Sequence, residues 1–258
     1  MTALVTGAAH RLGRRAALTL AEMGHDVAIH YNSQPDAAEA VANDIRSMDR
    51  QAVTLHADLL DPEQVDALVP RAADALGMLS VLVNNASIFE YDTLATATAE
   101  SWHRHIDSNL RAPVFLTQAF AAQAPKPERD GPFDERQNHP VVINMVDQRV
   151  LKVTPEFTTY SLAKMALWDF TQISARALAP EIRVNAIGPG PTLQGARQSA
   201  EHFASQRAAT ILERGADETD IADAVRYLVT ASAVTGQLIV VDGGQHLAWK
   251  TPDILGPE

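Results

Sequence analysis

Short, continuously apolar runs alternate with longer amphipathic stretches along most of the chain, and this alternation constrains the fold most strongly. The runs lack the polar residue at every second position that marks a strand with one face in water. Strands buried on both faces have this pattern, which is typical of a parallel sheet covered by helices. The predicted strands occupy residues 3–6, 26–31, 52–57, 80–85, 140–146, 182–187 and 237–242.

Helical patterns fill the gaps between these strands. GRRAALTLAEMG (13–24) and PEQVDALVPRAADALG (62–77) each end in glycine, which commonly closes helices. Such β–α alternation predicts an α/β fold with a doubly wound sheet of seven mostly parallel strands and helices on both faces. No low-complexity linker divides the 258 residues, so we predict a single domain over 1–258. The polar, proline-containing stretch 124–140 is predicted to be a surface loop.

Composition excludes several classes of function. A formal net charge of −11 argues against a nucleic-acid-binding protein, and the lack of cysteine excludes disulfides and thiolate chemistry. The histidines, His10 and His246 included, show no metal-ligand spacing, so we predict no metal. No apolar stretch reaches membrane-spanning length, and a strand-like run beginning near Thr2 leaves no room for a secretion signal. We therefore expect a cytoplasmic protein that binds neither nucleic acid nor membranes.

The first predicted strand leads into a glycine-containing turn. Gly7 and Gly13 bracket this turn, where glycine lets backbone N–H groups approach a pyrophosphate at the N-terminus of the next helix. The second strand ends in Tyr31, Asn32 and Ser33 rather than in the acidic residue that holds the ribose of NAD. No carboxylate stands there to repel a 2′-phosphate, so the pattern predicts a dinucleotide site that prefers NADPH.

A tyrosine and a lysine form a second candidate site. Tyr160 and Lys164 are four residues apart and share one face of a predicted helix that follows a strand. An ammonium group near a phenol lowers the phenol pKa, which makes tyrosine a better proton donor near neutral pH. The same spacing is common on solvated helix faces, and it gains significance here from the glycine turn in the same chain.

Together these motifs resemble those of the short-chain dehydrogenase/reductase family, over nearly the whole chain. The motifs are TGxxxxxG after the first strand, NNAS (84–87), Asn109, Tyr160 with Lys164, GPGP (188–191) and VDGG (241–244). The resemblance implies a Rossmann-type domain in which Tyr160 donates a proton, Lys164 holds the nicotinamide ribose and Asn109 seats Lys164 through water. It also implies cofactor contacts from Gly7, His10, Arg11, Leu12, Tyr31, Asn32, Ser33, Asp58, Leu59, Asn85, Ala86, Ser87, Tyr160, Lys164, Pro189, Gly190 and Thr192.

Two residues depart from the usual family pattern. Asp147 stands thirteen positions before Tyr160, where the family usually has serine, and Arg11 stands where the turn usually has glycine. With NMVD (144–147) and Phe89 shortly after NNAS, they resemble the pteridine reductase subgroup. This resemblance implies that a pterin or dihydrofolate is the substrate and that Arg11, Phe89, Asp147 and Tyr160 bind it.

These substitutions suit a flat, nitrogen-rich substrate. A pterin can stack between the nicotinamide and the ring of Phe89. A carboxyl group at Asp147 can help to protonate a ring nitrogen if burial raises its pKa, whereas an anionic Asp147 would repel the alkoxide formed from a ketone. Arg11 is expected to bind the pterin edge, or only the cofactor phosphates. Core packing is the alternative for Phe89, and helix capping is the alternative for Asp58.

Three functions are therefore considered. The leading hypothesis is an NADPH-dependent reductase that converts a dihydropterin or dihydrofolate to the tetrahydro form. The second is a carbonyl reductase of the same family that acts on a ketone, sugar or acyl thioester, and the third is a non-enzymatic NADPH-binding regulator. The resemblance also implies that 191–210 closes over the substrate. It further implies a homotetramer, or a dimer, in which the helix bearing Tyr160 lies at an interface.

Overall fold

A seven-stranded sheet, parallel throughout, forms the centre of the protein. The computed structural model describes residues 1–129, 135–195 and 198–249. The strands are β1 (Thr2–Val5), β2 (Asp26–Tyr31), β3 (Ala52–His56), β4 (Leu79–Asn84), β5 (Glu128–Arg129), β6 (Arg136–Gln137), β7 (Val141–Met145), β8 (Arg183–Pro189) and β9 (Leu238–Val241). The α-helices are α1 (Arg11–Glu22), α2 (Pro35–Arg46), α3 (Pro62–Leu76), α4 (Ala99–Ile106), α5 (Ala112–Gln123), α6 (Thr158–Leu178), α7 (Ala200–Ala208) and α8 (Glu218–Thr230).

The predicted fold class is confirmed as a single doubly wound, Rossmann-type domain. The strand order is β3-β2-β1-β4-β7-β8-β9, and the observed strand ends lie within two residues of the predicted ones. The predicted helices form as α1 and α3, and the expected glycines follow them. The described part of 124–140 is not loop throughout, because β5 and β6 pair as an antiparallel ladder. Polar residues form this ladder through backbone hydrogen bonds, so no hydrophobic periodicity indicated it.

Some predictions include residues outside the described ranges. These residues are 130–134 of the predicted loop, 196–197 of the predicted substrate segment and 250–258 of the predicted domain. Among the described residues, no helix combines the length and the apolar character needed to cross a lipid bilayer.

Apolar side chains on both faces of the sheet explain the uninterrupted strand pattern. Leu4 and Val5 are successive residues of β1 and are both fully buried. Because successive side chains of a strand point to opposite faces, Val5 packs in a cluster with Leu20 of α1, and Leu4 packs in another with Leu68 of α3. Each face therefore has its own core.

The strand order reverses between β1 and β4, and this places the functional residues. Chain segments leave β1 towards one side of the sheet and β4 towards the other, so a crevice opens at their carboxyl ends. The glycine turn follows β1, the NNAS motif (84–87) overlaps the end of β4, and Asp147 follows β7. The reversal therefore brings together motifs that are far apart in sequence.

Candidate active site

The turn after β1 contains a non-glycine residue in a backbone conformation that favours glycine. Arg11 has φ +51°, in the left-handed region, at the first residue of α1. This conformation costs an ordinary residue about 1–2 kcal/mol. The guanidinium of Arg11 donates hydrogen bonds to the carbonyl oxygens of Leu193 (3.1 Å) and Gln194 (2.9 Å). The position thus keeps the backbone of a glycine turn and adds a side chain that reaches the predicted substrate segment.

The same turn is held tightly against the segment after β4. Thr6 Oγ1 accepts hydrogen bonds from the backbone N–H groups of Asn85 (2.9 Å) and Ala86 (3.0 Å). The Asn85 amide donates to the carbonyl oxygens of Thr6 (2.8 Å) and Gly7 (3.2 Å). A Cβ at Gly13 would lie 2.1 Å from the Gly7 oxygen and 2.4 Å from Asn85 Nδ2. Glycine is required at position 13 because the turn and this asparagine meet there.

His30 supports the turn from β2, although the sequence analysis did not assign it to the site. Its Nδ1 accepts a hydrogen bond from the Gly7 N–H (3.0 Å), and its Nε2 lies 3.0 Å from the Ala57 carbonyl oxygen. The ring is therefore neutral with the proton on Nε2, and burial lowers the His30 pKa to about 4. A histidine inside an apolar strand is the signal that could have identified it, since a buried polar side chain needs a partner.

A cleft of about 640 Å³ runs along this turn and across the carboxyl ends of the strands. Most of the predicted cofactor residues line it, namely Gly7, His10, Arg11, Leu12, Asn32, Ser33, Asp58, Leu59, Asn85, Ala86, Ser87, Gly190 and Thr192. Tyr31 instead packs its ring edge-on against His56, with the ring centroids 5.5 Å apart. Pro189, Tyr160 and Lys164, the remaining predicted cofactor residues, line a second pocket, which is described below.

Asp58 lies in the cofactor cleft and does not cap a helix. The N-cap of α3 is Asp61, whose carboxylate accepts the N–H groups of Glu63 and Gln64. Asp58 instead accepts the N–H of Leu60 at 3.0 Å. The capping alternative for Asp58 is therefore wrong, because Asp61 is the residue adjacent to the first turn of the helix.

The composition of the cleft fits a dinucleotide with a 2′-phosphate. Glycine in the Gly7–Gly13 turn lets backbone N–H groups approach a ligand, and α1 begins in the same turn. Both features suit a pyrophosphate. Asn32 and Ser33 line the cleft beyond β2, so hydrogen-bonding groups without negative charge stand at the predicted ribose position. The residues present therefore fit NADPH.

Gly13→Ala tests the role of the turn. The added methyl group has no space beside the Gly7 oxygen, so the turn must shift; we expect the Kd for NADPH to rise at least about tenfold. Cofactor fluorescence titration measures this. The control is Gly24→Ala, at φ +92° with no described heavy atom within 4 Å, which should lower stability without changing the Kd. Equal effects of the two variants on the Kd would refute the assignment.

A second pocket, of about 330 Å³, adjoins the first cleft and contains three of the four predicted catalytic residues, Asp147, Tyr160 and Lys164, but not Asn109. Its lining includes Arg11, Phe89, Asp147, Tyr160 and Lys164. The fold thus brings together residues from the first turn, the segment after β4, the end of β7 and helix α6.

Asp147 and Tyr160 are directly hydrogen bonded at the centre of this pocket. The Tyr160 hydroxyl donates to Asp147 Oδ2 at 2.9 Å, and the Arg149 N–H donates to Asp147 Oδ1 at 2.8 Å. Burial raises the pKa of Asp147 above its ordinary value, although both hydrogen bonds oppose this. The sequence predicted that Asp147 could help to donate a proton if burial raised its pKa, and the pKa of Asp147 is shifted in that direction.

The predicted effect of Lys164 on Tyr160 is wrong. Burial and the Asp147 carboxylate raise the pKa of Tyr160 well above its ordinary value. The Lys164 ammonium lies 5.8 Å from the centre of the tyrosine ring and donates to the Met145 carbonyl oxygen at 2.7 Å. Burial lowers the pKa of Lys164 to about 8, against the attraction of Asp147. Tyr160 is therefore a neutral phenol that donates to a carboxyl group.

Asn109 lies in a π-helical turn (Asp107–Arg111) between α4 and α5. Its side chain accepts the N–H of Ile88 and donates to the carbonyl oxygen of the same residue, both at 2.8 Å. The direct partner of Asn109 is thus the segment after β4. The water-mediated contact with Lys164 stays a prediction.

Phe89 is not a core residue. Its side chain is 45% exposed, stacks on Phe157 with centroids 4.3 Å apart, and meets the Tyr160 ring edge-on at 4.7 Å. The core-packing alternative is therefore wrong, because the segment after β4 carries this ring to the mouth of the pocket.

The described part of the predicted substrate segment is anchored at both ends. Arg11 holds Leu193 and Gln194, and Arg207 of α7 donates to the Pro191 carbonyl oxygen at 2.7 Å and to that of Gly215 at 3.1 Å. The segment thus forms one wall of the pocket. No group of three or more potential metal ligands occurs in the ranges that the structure describes.

Known proteins resemble the chain over almost its whole length. The family model for enoyl-(acyl carrier protein) reductase matches residues 7–246. The 3-oxoacyl-[acyl-carrier-protein] reductase FabG of Staphylococcus aureus is 32% identical over an alignment of 251 positions, and the match covers 95% of this chain and 98% of that protein.

Two solved structures are more similar in sequence. The NADP complex of FolM alternative dihydrofolate reductase 1 from Brucella suis has a TM-score of 0.91 and 42% identity, covering 98% of each chain. The same enzyme from Brucella canis, also with NADP, has a TM-score of 0.89 and 42% identity, covering 98% of this chain and 96% of that one. The expected preference for an NADP-type cofactor agrees with both. By motifs, fold and whole-length similarity, the chain belongs to the short-chain dehydrogenase/reductase family.

Proposed function

We propose that this NADP-dependent oxidoreductase is a pterin reductase, which converts a dihydropterin or dihydrofolate to the tetrahydro form with NADPH as cofactor. One observation carries the proposal: the partly buried carboxyl group of Asp147 accepts a hydrogen bond from Tyr160, whose ring meets the half-exposed ring of Phe89. The similarity to the two FolM dihydrofolate reductases supports the same substrate class.

The reaction requires one hydride and one proton. When bound in the cleft, NADPH would supply the hydride, which would add to a ring carbon of the substrate. The neighbouring ring nitrogen must gain a proton as the C=N bond becomes CH–NH. Burial raises the pKa values of both Asp147 and Tyr160, which favours their protonated forms, so the hydrogen-bonded pair can deliver a proton to that nitrogen. Solvent then restores the proton to the pair.

The remaining groups bind and orient the substrate. The ring of Phe89, 45% exposed, provides an apolar surface for a flat heterocycle. In this proposal Lys164 holds the nicotinamide ribose, and Asn109 supports the Ile88 backbone beside Phe89 through two hydrogen bonds. Arg11 orients the segment that forms one wall of the pocket and itself lines the pocket, so we propose that it also contacts the pterin edge.

Arg11→Gly separates these functions of the arginine. Glycine adopts the left-handed backbone freely, so the turn and the Kd for NADPH should change little. Loss of the contacts with Leu193 and Gln194 should raise the KM for dihydropterin about five- to tenfold. The control is Arg14→Ala, an exposed arginine of the same helix that pairs with Asp44. A large rise in the NADPH Kd, with an unchanged KM, would show that Arg11 serves the cofactor alone.

A substrate panel tests the proposed function. NADPH oxidation is measured with dihydrobiopterin, dihydrofolate, a small diketone and an acetoacetyl thioester. We expect the highest kcat/KM with one of the first two substrates, and a preference for NADPH over NADH in Kd. A higher kcat/KM for the thioester or the diketone would overturn the pterin assignment.

Carbonyl reduction is the second candidate function. The similarity to FabG favours it, because that protein is a reductase of 3-oxoacyl groups. Asp147 opposes it in the form that accepts the Tyr160 hydroxyl, since a carboxylate would lie where negative charge develops on a carbonyl oxygen. The thioester in the panel therefore distinguishes the two candidates.

A homotetramer in the cytoplasm is part of the same proposal. Helix α6 carries two exposed apolar side chains, Leu162 (44%) and Ile173 (62%), which suit a contact between subunits. Light scattering of the purified protein measures the number of subunits directly.

A further inference from the structure

A buried polar cluster lies next to the catalytic pocket and takes no part in the proposed chemistry. It consists of Asp92, His105 and Thr159, which are 3%, 0% and 3% exposed. Thr159 immediately precedes Tyr160 in α6, His105 belongs to α4, and Asp92 lies in the segment that carries Phe89. The cluster therefore connects three parts of the chain that surround the substrate.

The hydrogen bonds of the cluster define the protonation of its histidine. His105 Nε2 accepts the backbone N–H of Glu90 at 3.1 Å, so this nitrogen carries no proton. The proton is on Nδ1, which donates to Thr159 Oγ1 at 2.7 Å. The Thr159 hydroxyl in turn donates to the Asp92 carboxylate. Burial lowers the pKa of His105, which favours this neutral form.

Further contacts join the two segments that the cluster bridges. The Phe157 N–H donates to the Asp92 carbonyl oxygen at 2.7 Å, and the Thr159 N–H donates to the Asp92 carboxylate at 3.2 Å. Thr93 also pairs with Glu156 in an antiparallel bridge. The segment after β4 is thus bound to the start of α6, where the Tyr160 ring lies.

We propose that His105 is a positioning residue for the substrate: through its bond to the Glu90 backbone, it holds the ring of Phe89 beside Tyr160 and so determines the affinity for a flat heterocycle. Phe89 is adjacent to Glu90, and its ring centroid lies 4.7 Å from that of Tyr160. A shift of the Glu90 backbone would move the ring off the tyrosine. His105 acts through Phe89 and does not touch the substrate itself. This inference rests on the proposed pterin reductase function.

Four variants test the proposal. His105→Phe keeps a flat ring but removes the acceptor for the Glu90 N–H, and His105→Gln restores an acceptor at a similar reach. Thr159→Val removes the hydroxyl between His105 and Asp92 with little change of shape. The matched control is His25→Phe, which alters another buried histidine, 2% exposed, between α1 and β2.

Two measurements are made on the full-length enzyme. Steady-state kinetics should show the KM for dihydropterin about tenfold higher in His105→Phe, with kcat within about twofold and the NADPH Kd unchanged. His105→Gln should recover most of the KM, and Thr159→Val should raise it less. Hydrogen exchange of the Glu90 amide should be faster in His105→Phe and in Thr159→Val, and unchanged in His25→Phe.

The outcomes separate the inference from the proposed function. A wild-type enzyme without pterin turnover would refute the proposed function, whereas the exchange rate of the Glu90 amide would still decide whether His105 holds this segment. Unchanged exchange in His105→Phe would overturn the inference, and so would an equal rise of KM in His25→Phe. If His105→Phe does not fold, Thr159→Val carries the same test, and unchanged exchange of the Glu90 amide in that variant would overturn the inference.

Discussion

Replacing Asp147 with serine should lower kcat for dihydropterin reduction about 100-fold or more, because general acid catalysis by a positioned side chain contributes roughly 10²–10⁴-fold. Serine keeps a hydroxyl in the pocket but provides no carboxyl group to accept the Tyr160 hydroxyl or to share its proton. The variant should remain folded, because the substitution removes a carboxyl group whose ionised form is destabilised by burial, as the raised pKa of Asp147 shows.

The same variant distinguishes the two candidate functions. Asp147→Ser restores the residue that carbonyl reductases of this family usually have, so reduction of the diketone or thioester should rise as pterin reduction falls. Stopped-flow measurement of hydride transfer with each substrate gives both rates. Asp169→Ser, an exposed aspartate on α6, is the control and should change neither. Pterin turnover that survives in Asp147→Ser would remove the central argument for the function.

Lys164→Met should abolish most of the activity, about 100-fold or more in kcat/KM, while leaving the protein no less stable at neutral pH. The loss of activity follows from the position of the ammonium in the pocket beside Tyr160. The stability follows from burial, which lowers the Lys164 pKa from 10.5 to about 8. Such a shift corresponds to a penalty of about 3 kcal/mol for the charged form in the folded state.

The pH dependence of this effect has a definite sign. Because the folded-state pKa is the lower one, the penalty is complete below pH 8, diminishes as pH rises, and vanishes above the unfolded-state value of 10.5. Methionine fills a similar volume without charge, so any stability advantage of the variant should shrink between pH 8 and 10.5. The lost hydrogen bond to the Met145 carbonyl oxygen offsets part of this gain.

Urea unfolding of wild type and Lys164→Met across this pH range measures the effect. Lys126→Met is the control, because Lys126 is exposed and should show no such dependence. A stability difference that grows as pH rises from 8 to 10.5 would contradict the assignment of a buried, destabilised ammonium group.

Regular features of the fold were predictable from local sequence. The buried strands, helices α1 and α3 and the glycine turn each have a signal within a few residues, because burial on two faces and turn geometry restrict residue type locally. The polar ladder of β5 and β6 had no such signal. The motif spacing also identified Asp147, Tyr160 and Lys164, since a helix following a strand brings them to one end of the sheet.

Properties that depend on distant contacts were not predictable in the same way. The Tyr160 pKa was expected to fall because of Lys164, but it rises, since burial and Asp147 outweigh an ammonium 5.8 Å away from the ring. His30 and His105 are ordinary residues in the sequence. Their importance follows from bonds to the backbone of Gly7 and Glu90, which the folded chain brings within reach.

The sequence by itself determined the fold class, the order of the strands along the chain and the types of residue at the end of each strand, because these depend on local hydrophobic pattern and motif spacing. Only the tertiary structure decided how these residues act. Burial and close contact raise the pKa values of Asp147 and Tyr160, and the Arg11 side chain, on a left-handed backbone, reaches from the glycine turn to Leu193. Desolvation and hydrogen bonding arise when remote segments pack together, so they have no local counterpart in the sequence.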